Sequence, residues 1–298
     1  LNLAGLGNLA REMAPRFWER FREDQARAIL PAPNRPNPSL WPEKGLHAAW
    51  LGHSTVLLKI DGVTVVTDPV FSDRVGLNIG PVTLGLKRLV APALVAKESP
   101  RPDVILLSHA HMDHFDLPSL RALESRQTSV VTAAKTSDLL RASQYGQVRE
   151  LAWNEAVQIG ELIIRAFEVR HWGARMRSDT YRGYNGYLIE SPRFRVLFGG
   201  DTAMTDAFRR LRTARGVDLG IMPIGAYNPW INAHCTPEQA LRMANDAGAE
   251  FLMPVHQRTF QLGNEDYGEP LERIQNALAS DPHRLALKEI GEEFHYSA

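Results

Sequence analysis

The 298-residue chain has a single cysteine, no net charge and no long apolar run. Each shortage removes a class of protein. Cys235 alone cannot close an internal disulfide, which excludes a disulfide-stapled scaffold and leaves both reducing and oxidising compartments open. Lys plus Arg number 34, as do Asp plus Glu, so no global basic field gathers nucleic acid and no nucleic-acid partner is expected. No stretch approaches the ~20 apolar residues of a membrane-spanning helix, and none reads as a signal peptide. Leu1 rather than Met opens the sequence, which leaves room for a trimmed leader or anchor. The location expected is cytoplasmic or peripheral to a membrane.

What is present suits a soluble globular protein with a large core, at 44% hydrophobic and 23% charged residues. Residues 11–30, "REMAPRFWERFREDQARAIL", place Phe17, Phe21 and Ala28 on one side of a helical pattern, with Trp18 and Ile29 beside them. This amphipathic helix would pack on the body or dock on a membrane or partner. The stretch "PAPNRPNPSLWP", with five prolines in twelve residues, cannot continue it and reads as an extended strap. The division expected is 1–45 for helix and strap and 46–298 for a catalytic domain. There, β-branched and aliphatic runs flank the turn Asp61-Gly62, a hairpin signal. Further strand-like runs ("DVILLS", "SVVTA", "ELIIRAFEV", "GYLIES", "FRVLFGGD", "LGIMPIG", "EFLMPVH") alternate with helical patterns near 117–126, 135–145, 204–213, 236–248 and 269–280. The alternation predicts a mixed α/β layer architecture.

One short segment concentrates the chemistry. "ILLSHAHMDHFD", Ile105 to Asp116, holds three histidines and two aspartates directly after an apolar run. In extended chain alternate side chains point the same way, so His109 and His111 can share one ion while Asp113 and His114 face a second position. One local cluster cannot fill two coordination spheres. Three other strand-like runs end in good ligands: His171 after "LIIRAFEVR", Asp201 after "FRVLFGG" and His256 after "EFLMPV". Asp201 is the natural bridge, because two carboxylate oxygens can hold two ions about 3.5–4 Å apart.

The residues "SHAHMDHFD", His171, "GGDT" and "PVH" resemble the metallo-β-lactamase superfamily. Within it, "GHSTVLLKIDGVTVVTDPVFSDRV", "RHWG", "FGGDT", "MPIGAYNPW", "AHCTPEQAL" and "FQLGNEDYGEPLERI" resemble the N-acylphosphatidylethanolamine-hydrolysing phospholipase D group and its bacterial relatives. The resemblance runs from about residue 50 to 280. It implies a four-layer αββα sandwich (α/β, or α+β) whose site lies along one sheet edge. It also implies that His109, His111 and His171 hold one zinc, that Asp113, His114 and His256 hold the other, and that Asp201 bridges. Two positions depart from the pattern. Gln257 and Arg258 stand where Trp-Gly would follow the last ligand, and Asn228 replaces an acidic residue. Both are expected near the mouth of the site.

Supporting roles follow. Asp68 in "VVTDPV" reads as the acceptor for the free ring N–H of a ligating histidine, with a plain turn aspartate as the alternative. His53 in "LGHST" reads first as a structural residue of a strand turn, with approach to the site as the alternative. His234 lies just before a helix that Thr236 caps with Pro237 at its first position, and on the resemblance it is a substrate-binding or proton-donating residue. Trp172, Tyr184, Tyr227, Trp230 and Phe260 surround the ligand-bearing loops and would make an apolar groove for acyl chains. Cys235 is not expected to be a nucleophile. His47, His283 and His295 have no supporting context.

Two divalent ions, zinc first with manganese or iron as alternatives, would supply Lewis acidity and lower the pKa of water from 15.7 to about 7. The reading is a dinuclear phosphodiesterase of the phospholipase D kind, with Asp113 orienting the nucleophile and His234 serving the oxyanion or leaving oxygen. Hydrolysis of a lactone or sugar-phosphate ester is the nearest alternative, since the ligands do not select the bond. A non-catalytic metal-binding, membrane-associated scaffold is the reading from another class.

Overall fold

A computed structural model describes residue 24, residues 26–79 and residues 82–297. Strands β1 (Leu46–Gly52), β2 (Thr55–Ile60), β3 (Val63–Thr67), β6 (Val104–Leu107), β7 (Ser129–Ala133), β8 (Gln147–Leu151) and β15 (Glu293–Tyr296) form one sheet in the order β15-β1-β2-β3-β6-β7-β8. Strands β9 (Ala156–Ile159), β10 (Leu162–Phe167), β11 (Gly186–Glu190), β12 (Arg195–Phe198), β13 (Val217–Pro223) and β14 (Ala249–Val255) form the second, in the order β14-β13-β12-β11-β10-β9. A separate hairpin, β4 (Arg74–Ile79) with β5 (Val82–Lys87), belongs to neither sheet.

Side-chain alternation explains the layering. β6 is apolar at every position because both its faces are covered: Val104 and Leu106 enter the core between the sheets, while Ile105 and Leu107 pack outward with Phe115 and Leu120 beneath helix α1 (Leu117–Ala122). The second sheet is covered by α2 (Pro237–Ala247) and α3 (Glu269–Ala277), through an apolar cluster that includes Ala240, Met243, Ala244 and Ile274. The result is the four-layer αββα sandwich of the metallo-β-lactamase fold. Helix α2 starts with a capping box, Thr236 on Gln239, with Pro237 in the first turn, and stops at Gly248 in the left-handed conformation.

Topology gathers the chemistry at one edge. β1, β3 and β6 run in one direction, and so do β10, β12, β13 and β14, because each antiparallel neighbour lies between two strands of like sense. Their C-terminal ends carry His53, Asp68, His109, His171, Asp201 and His256. Open α/β sheets place ligands beyond the carboxyl ends of their strands for the same reason.

Several expectations needed correction. Residues 135–145 form two 3-10 turns, Ser137–Leu139 and Ala142–Gln144, because the Glu150 carboxylate takes the backbone N–H groups of Lys135, Thr136 and Ser137. Asp206–Leu211 is likewise 3-10. The hairpin β4–β5 and strands β8, β9 and β15 were not anticipated. Of the amphipathic segment, Phe17, Trp18 and Phe21 lie outside the described residues. Asp24 and Ala26 are helical, whereas Ala28 and Ile29 are not, and Leu30 bridges Val90. The proline-rich strap crosses the body, with Asn34 N–H donating to Ile290 O (3.2 Å) and Trp41 Nε1–H to Glu293 (2.6 Å).

Candidate metal centre

Asp201 sits at the middle of the strand-end cluster. Its Oδ2 is 3.1 Å from both His114 Nε2 and His256 Nε2, 3.8 Å from His171 Nε2, and 3.9 Å from both His109 Nε2 and His234 Nδ1. Gly200 turns the chain into it with φ +56, and a Cβ there would meet Asn185 O at 2.8 Å and Ser108 Cβ at 2.9 Å. Asp113 Oδ2 is 3.0 Å from His53 Nε2, 3.5 Å from His114 Nε2 and 3.7 Å from His256 Nε2. Two groups of potential ligand atoms emerge: His53, Asp113, His114 and His256, and His109, His111 and His171. Two further groups of three overlap them, one adding Asp68 and the other Asp201 with His234.

The ring orientations are set from outside the cluster. His171 Nδ1 donates to Ala233 O (2.9 Å), His109 Nδ1 meets Ser108 Oγ (2.8 Å), and His114 Nδ1 meets Asp68 Oδ2 (2.7 Å). Each Nε2 is left turned inward, the arrangement that outer partners impose on ligating histidines. Asp68 accepts on both oxygens, from Ser108 N–H (2.7 Å), Ser108 Oγ–H (2.5 Å) and His114. Those donors favour its ionised form against the burial that raises its pKa. With its oxygens taken, Asp68 supports ligands rather than serving as one.

Burial would raise the carboxyls of Asp113 and Asp201, yet the facing histidines, His114 foremost, hold both well below the usual range. Burial pushes His109 far down and His171 to about 3. It acts the same way on His114 and His256, but Asp201 and Asp113 outweigh it, raising His114 well above its ordinary value and His256 to about 9. The two carboxylates therefore draw positive charge into a buried place. His114 Nε2, both ring nitrogens of His256, His53 Nδ1, His234 Nδ1 and Asp201 Oδ1 are buried without a hydrogen-bond partner, a cost of about 1–3 kcal/mol for each such group. Divalent cations would satisfy these atoms and that charge, so the residues fit a metal centre.

The backbone is strained here. Eight described non-glycine residues have positive φ, and five of them, His53, Asp68, Ala226, His256 and Arg258, lie on or within two residues of the cluster or its cleft. Left-handed non-glycine residues cost about 1–3 kcal/mol and persist where surrounding structure holds them. The hold is visible at His53, whose carbonyl accepts from His256 N–H (3.0 Å) and Trp50 Nε1–H (2.7 Å), tying the two sheets together.

A cleft of about 170 Å³ opens over the cluster, lined by His111, Asp113, Trp172, Ala226, Asp201, Trp230, His234 and Leu262. Trp172 and Trp230 are exposed on its rim. Three expected rim aromatics are elsewhere. Tyr227 is buried, its hydroxyl donating to Glu269 (2.7 Å) with the Arg273 guanidinium over its ring, and Phe260 packs with Val70 and Val75 behind His53. Gln257 and Arg258 also turn from the cleft: Gln257 is buried, and Arg258 pairs with Glu289 (2.9 Å) and lies over Tyr267. Asn228 is exposed in the loop before Trp230, its carbonyl taking Asn264 N–H (2.7 Å). Tyr184 stands back from the rim, its ring 6.4 Å from His171 and 5.5 Å from Trp153. Cys235 is buried against Pro223 O, and burial raises its thiol pKa, as befits a structural residue. His53, for which a structural role was the first expectation, approaches the cluster itself, its Nε2 3.0 Å from Asp113 Oδ2. One contributor escaped the sequence reading: Ser108 links Asp68 to His109.

Fold, strand-end cluster and cleft together define a metal-dependent hydrolase. Comparison with known families agrees: the description "Beta-lactamase superfamily domain" matches residues 63–257, and the chain belongs to that superfamily. It is 35% identical to an uncharacterized protein of Mycobacterium tuberculosis over 91% of this chain and 74% of that one. It is 30% identical to N-acyl-phosphatidylethanolamine-hydrolyzing phospholipase D 1 of Caenorhabditis elegans, over 84% and 75%. An isothiocyanate hydrolase from Delia radicum gut bacteria shares the fold, with a TM-score of 0.68 at 17% identity over 85% of this chain and all of the other.

Proposed function

We propose that the protein is a dinuclear phosphodiesterase of the phospholipase D type, acting on N-acylphosphatidylethanolamine-like phospholipids. The observation that carries this reading is the position of the carboxylate and histidine cluster at the floor of a cleft with an apolar rim. Trp172 and Trp230 stand exposed beside it, and Leu262, in its wall, packs against the cluster of Val70, Val75 and Phe260, of which Val75 belongs to hairpin β4–β5. That hairpin pairs Val75 with Leu86 and Leu77 with Leu84, and Leu77, Leu84 and Leu86 are exposed. Apolar side chains beside a hydrolytic centre suit a lipid, and the exposed leucines of the hairpin suit a peripheral contact with its aggregate. The similarity to the Caenorhabditis elegans phospholipase D points the same way.

In this reading His109, His111 and His171 hold one ion, Asp113, His114 and His256 hold the other, and Asp201 serves both. Two zinc ions bound there would supply Lewis acidity toward the phosphoryl oxygens and a water of lowered pKa. Asp113, which lines the cleft, orients the attacking water by accepting its proton in a hydrogen bond. His234, which also lines the cleft, donates a ring N–H to the oxygen that gains charge. His53 holds Asp113 in place through Nε2.

Purified, metal-analysed protein assayed on N-acylphosphatidylethanolamine, a soluble phosphodiester, a lactone and a sugar-phosphate ester tests the proposal. Release of phosphatidic acid with about two ions per chain is expected. Turnover of only the lactone or the sugar-phosphate ester would overturn the phospholipase assignment and leave a hydrolase of another specificity.

A further inference from the structure

Ser108 stands between Asp68 and His109, and the chemistry of its neighbours fixes where each proton lies. Its hydroxyl is 2.5 Å from Asp68 Oδ2 and 2.8 Å from His109 Nδ1. An ionised carboxylate only accepts, so the hydroxyl hydrogen goes to Asp68 and the oxygen accepts Nδ1–H from His109. The Nε2 lone pair of His109 is thereby directed at His111 Nδ1 (2.8 Å) and toward Asp201. His114 reaches the same Asp68 oxygen with no intermediary, at 2.7 Å. One carboxylate thus supports a histidine of each group, directly in one case and through a neutral hydroxyl in the other.

That difference has an electronic consequence. A hydrogen bond to a charged acceptor is roughly twice as strong as one between neutral groups, and outer partners of this kind raise the basicity of a ligating imidazole. We propose that Ser108 is a positioning residue that makes the two ion positions unequal: it locks the tautomer of His109 while giving it weaker support than His114 receives. The proposal rests on the dinuclear reading above. Space around Ser108 is tight, since a Cβ on Gly200 would stand 2.9 Å from its own Cβ. Ser108→Ala removes the hydroxyl without adding bulk, and Ser108→Cys keeps a weaker donor.

The test uses the whole protein, loaded stepwise with zinc against a competing chelator, together with nitrogen-detected NMR of the imidazoles. Ser108→Ala should weaken one of the two ions about 10- to 100-fold, leave the other unchanged and shift the His109 Nδ1–H resonance. Ser108→Cys should fall between, and Asp68→Asn should weaken both ions. Equal weakening of both ions by Ser108→Ala, no weakening of either, or an unmoved His109 resonance overturns the proposal. Should Ser108→Ala fail to fold, Ser108→Cys decides by the same criterion, unequal loss supporting the proposal and equal or absent loss refuting it. A wild-type chain that takes up a single zinc at saturation would sink the dinuclear reading itself and this inference with it.

Discussion

The two halves of the metal centre are built differently. In the group of His53, Asp113, His114 and His256, backbone holds two members: His53 and His256 adopt left-handed conformations and a hydrogen bond from His256 N–H to His53 O locks their strand ends together, while His114 rests on a fully buried carboxylate and Asp113 on the His53 ring. His109, His111 and His171 are held by side chains and a loop carbonyl, with His111 partly exposed and the His171 ring buried, both against Trp172. The first group is a structural closure of the two sheets that also offers ligands. The cleft opens over both groups, reached by Asp113 of the first and His111 of the second. On the proposed assignment, folding free energy reinforces one ion position more than the other, and Asp201 would couple them.

Removing that coupling should have the largest effect. Asp201→Ala takes away the oxygen that lies within 3.9 Å of both groups. Both ions should weaken together and kcat/KM should fall at least about 10³-fold, some 4 kcal/mol of transition-state stabilisation. His171→Ala, by contrast, should weaken one ion. Elemental analysis and chelator titration on the two variants check this; independent, equal losses in both would show that Asp201 does not bridge.

His53→Ala sharpens the comparison from the closed side. The ring supports Asp113 at 3.0 Å, and the backbone carbonyl that receives His256 is untouched by the substitution. Loss of such an outer partner costs about 10- to 100-fold in metal affinity or activity. The ion of the His114 group should weaken by that amount while the other keeps its affinity, read in the same titration. A loss confined to the His171 position would reverse the assignment.

Trp230→Ala acts on the open side alone. Full burial of a large apolar side chain is worth about 1.5–3 kcal/mol, and a rim residue exposed in the free protein realises about half of it on binding, a five- to tenfold rise in KM for a long-chain substrate. Metal content and kcat on a short soluble diester should not move. Parallel losses on both substrates would mean that Trp230 supports the loop of His234, whose N–H donates to Trp230 O (2.9 Å), rather than the lipid.

What the sequence makes legible follows from how local each cause is. His109, His111, Asp113 and His114 stand within six residues after one apolar strand, and strand ends are readable from apolar runs that stop at Asp201 and His256. Asp68 is readable because its Asp-Pro turn follows a strand of β-branched residues. His53 depends on the meeting of β1 and β14, which are far apart in sequence, so its approach to Asp113 leaves no local trace. Ser108 is hidden for another reason: a serine beside a histidine is commonplace, and only the 2.5 Å approach of Asp68 gives it a role. The hairpin β4–β5 escaped because its glycines, Gly76 and Gly85, face each other in mid-strand and break the usual pattern. Aromatic side chains in loops carry no periodicity, which is why Tyr227 and Phe260 were expected on the rim and lie in packing instead.

Tyr227 provides the smallest and cleanest contrast with Trp230. Its hydroxyl donates to Glu269 Oε1 at 2.7 Å, and Glu269 also meets Arg273 Nη1 at 3.0 Å. Tyr227→Phe should leave KM for every substrate unchanged and cost about 0.5–1 kcal/mol of stability, the low end for a hydrogen bond because Glu269 is partly exposed. The sign of its pH dependence follows from the carboxyl: the Tyr227 hydroxyl first, then Arg273, lowers the Glu269 pKa below its ordinary 4.5. A depressed carboxyl contributes stability above that unfolded value and loses it as pH falls through the folded one. The gap between wild type and Tyr227→Phe should therefore be full at neutral pH and shrink as acid protonates Glu269, measured by denaturant unfolding across that range. A gap that persists in acid would show that the loss does not depend on the charge of Glu269, and a rise in KM would put Tyr227 back on the rim of the cleft.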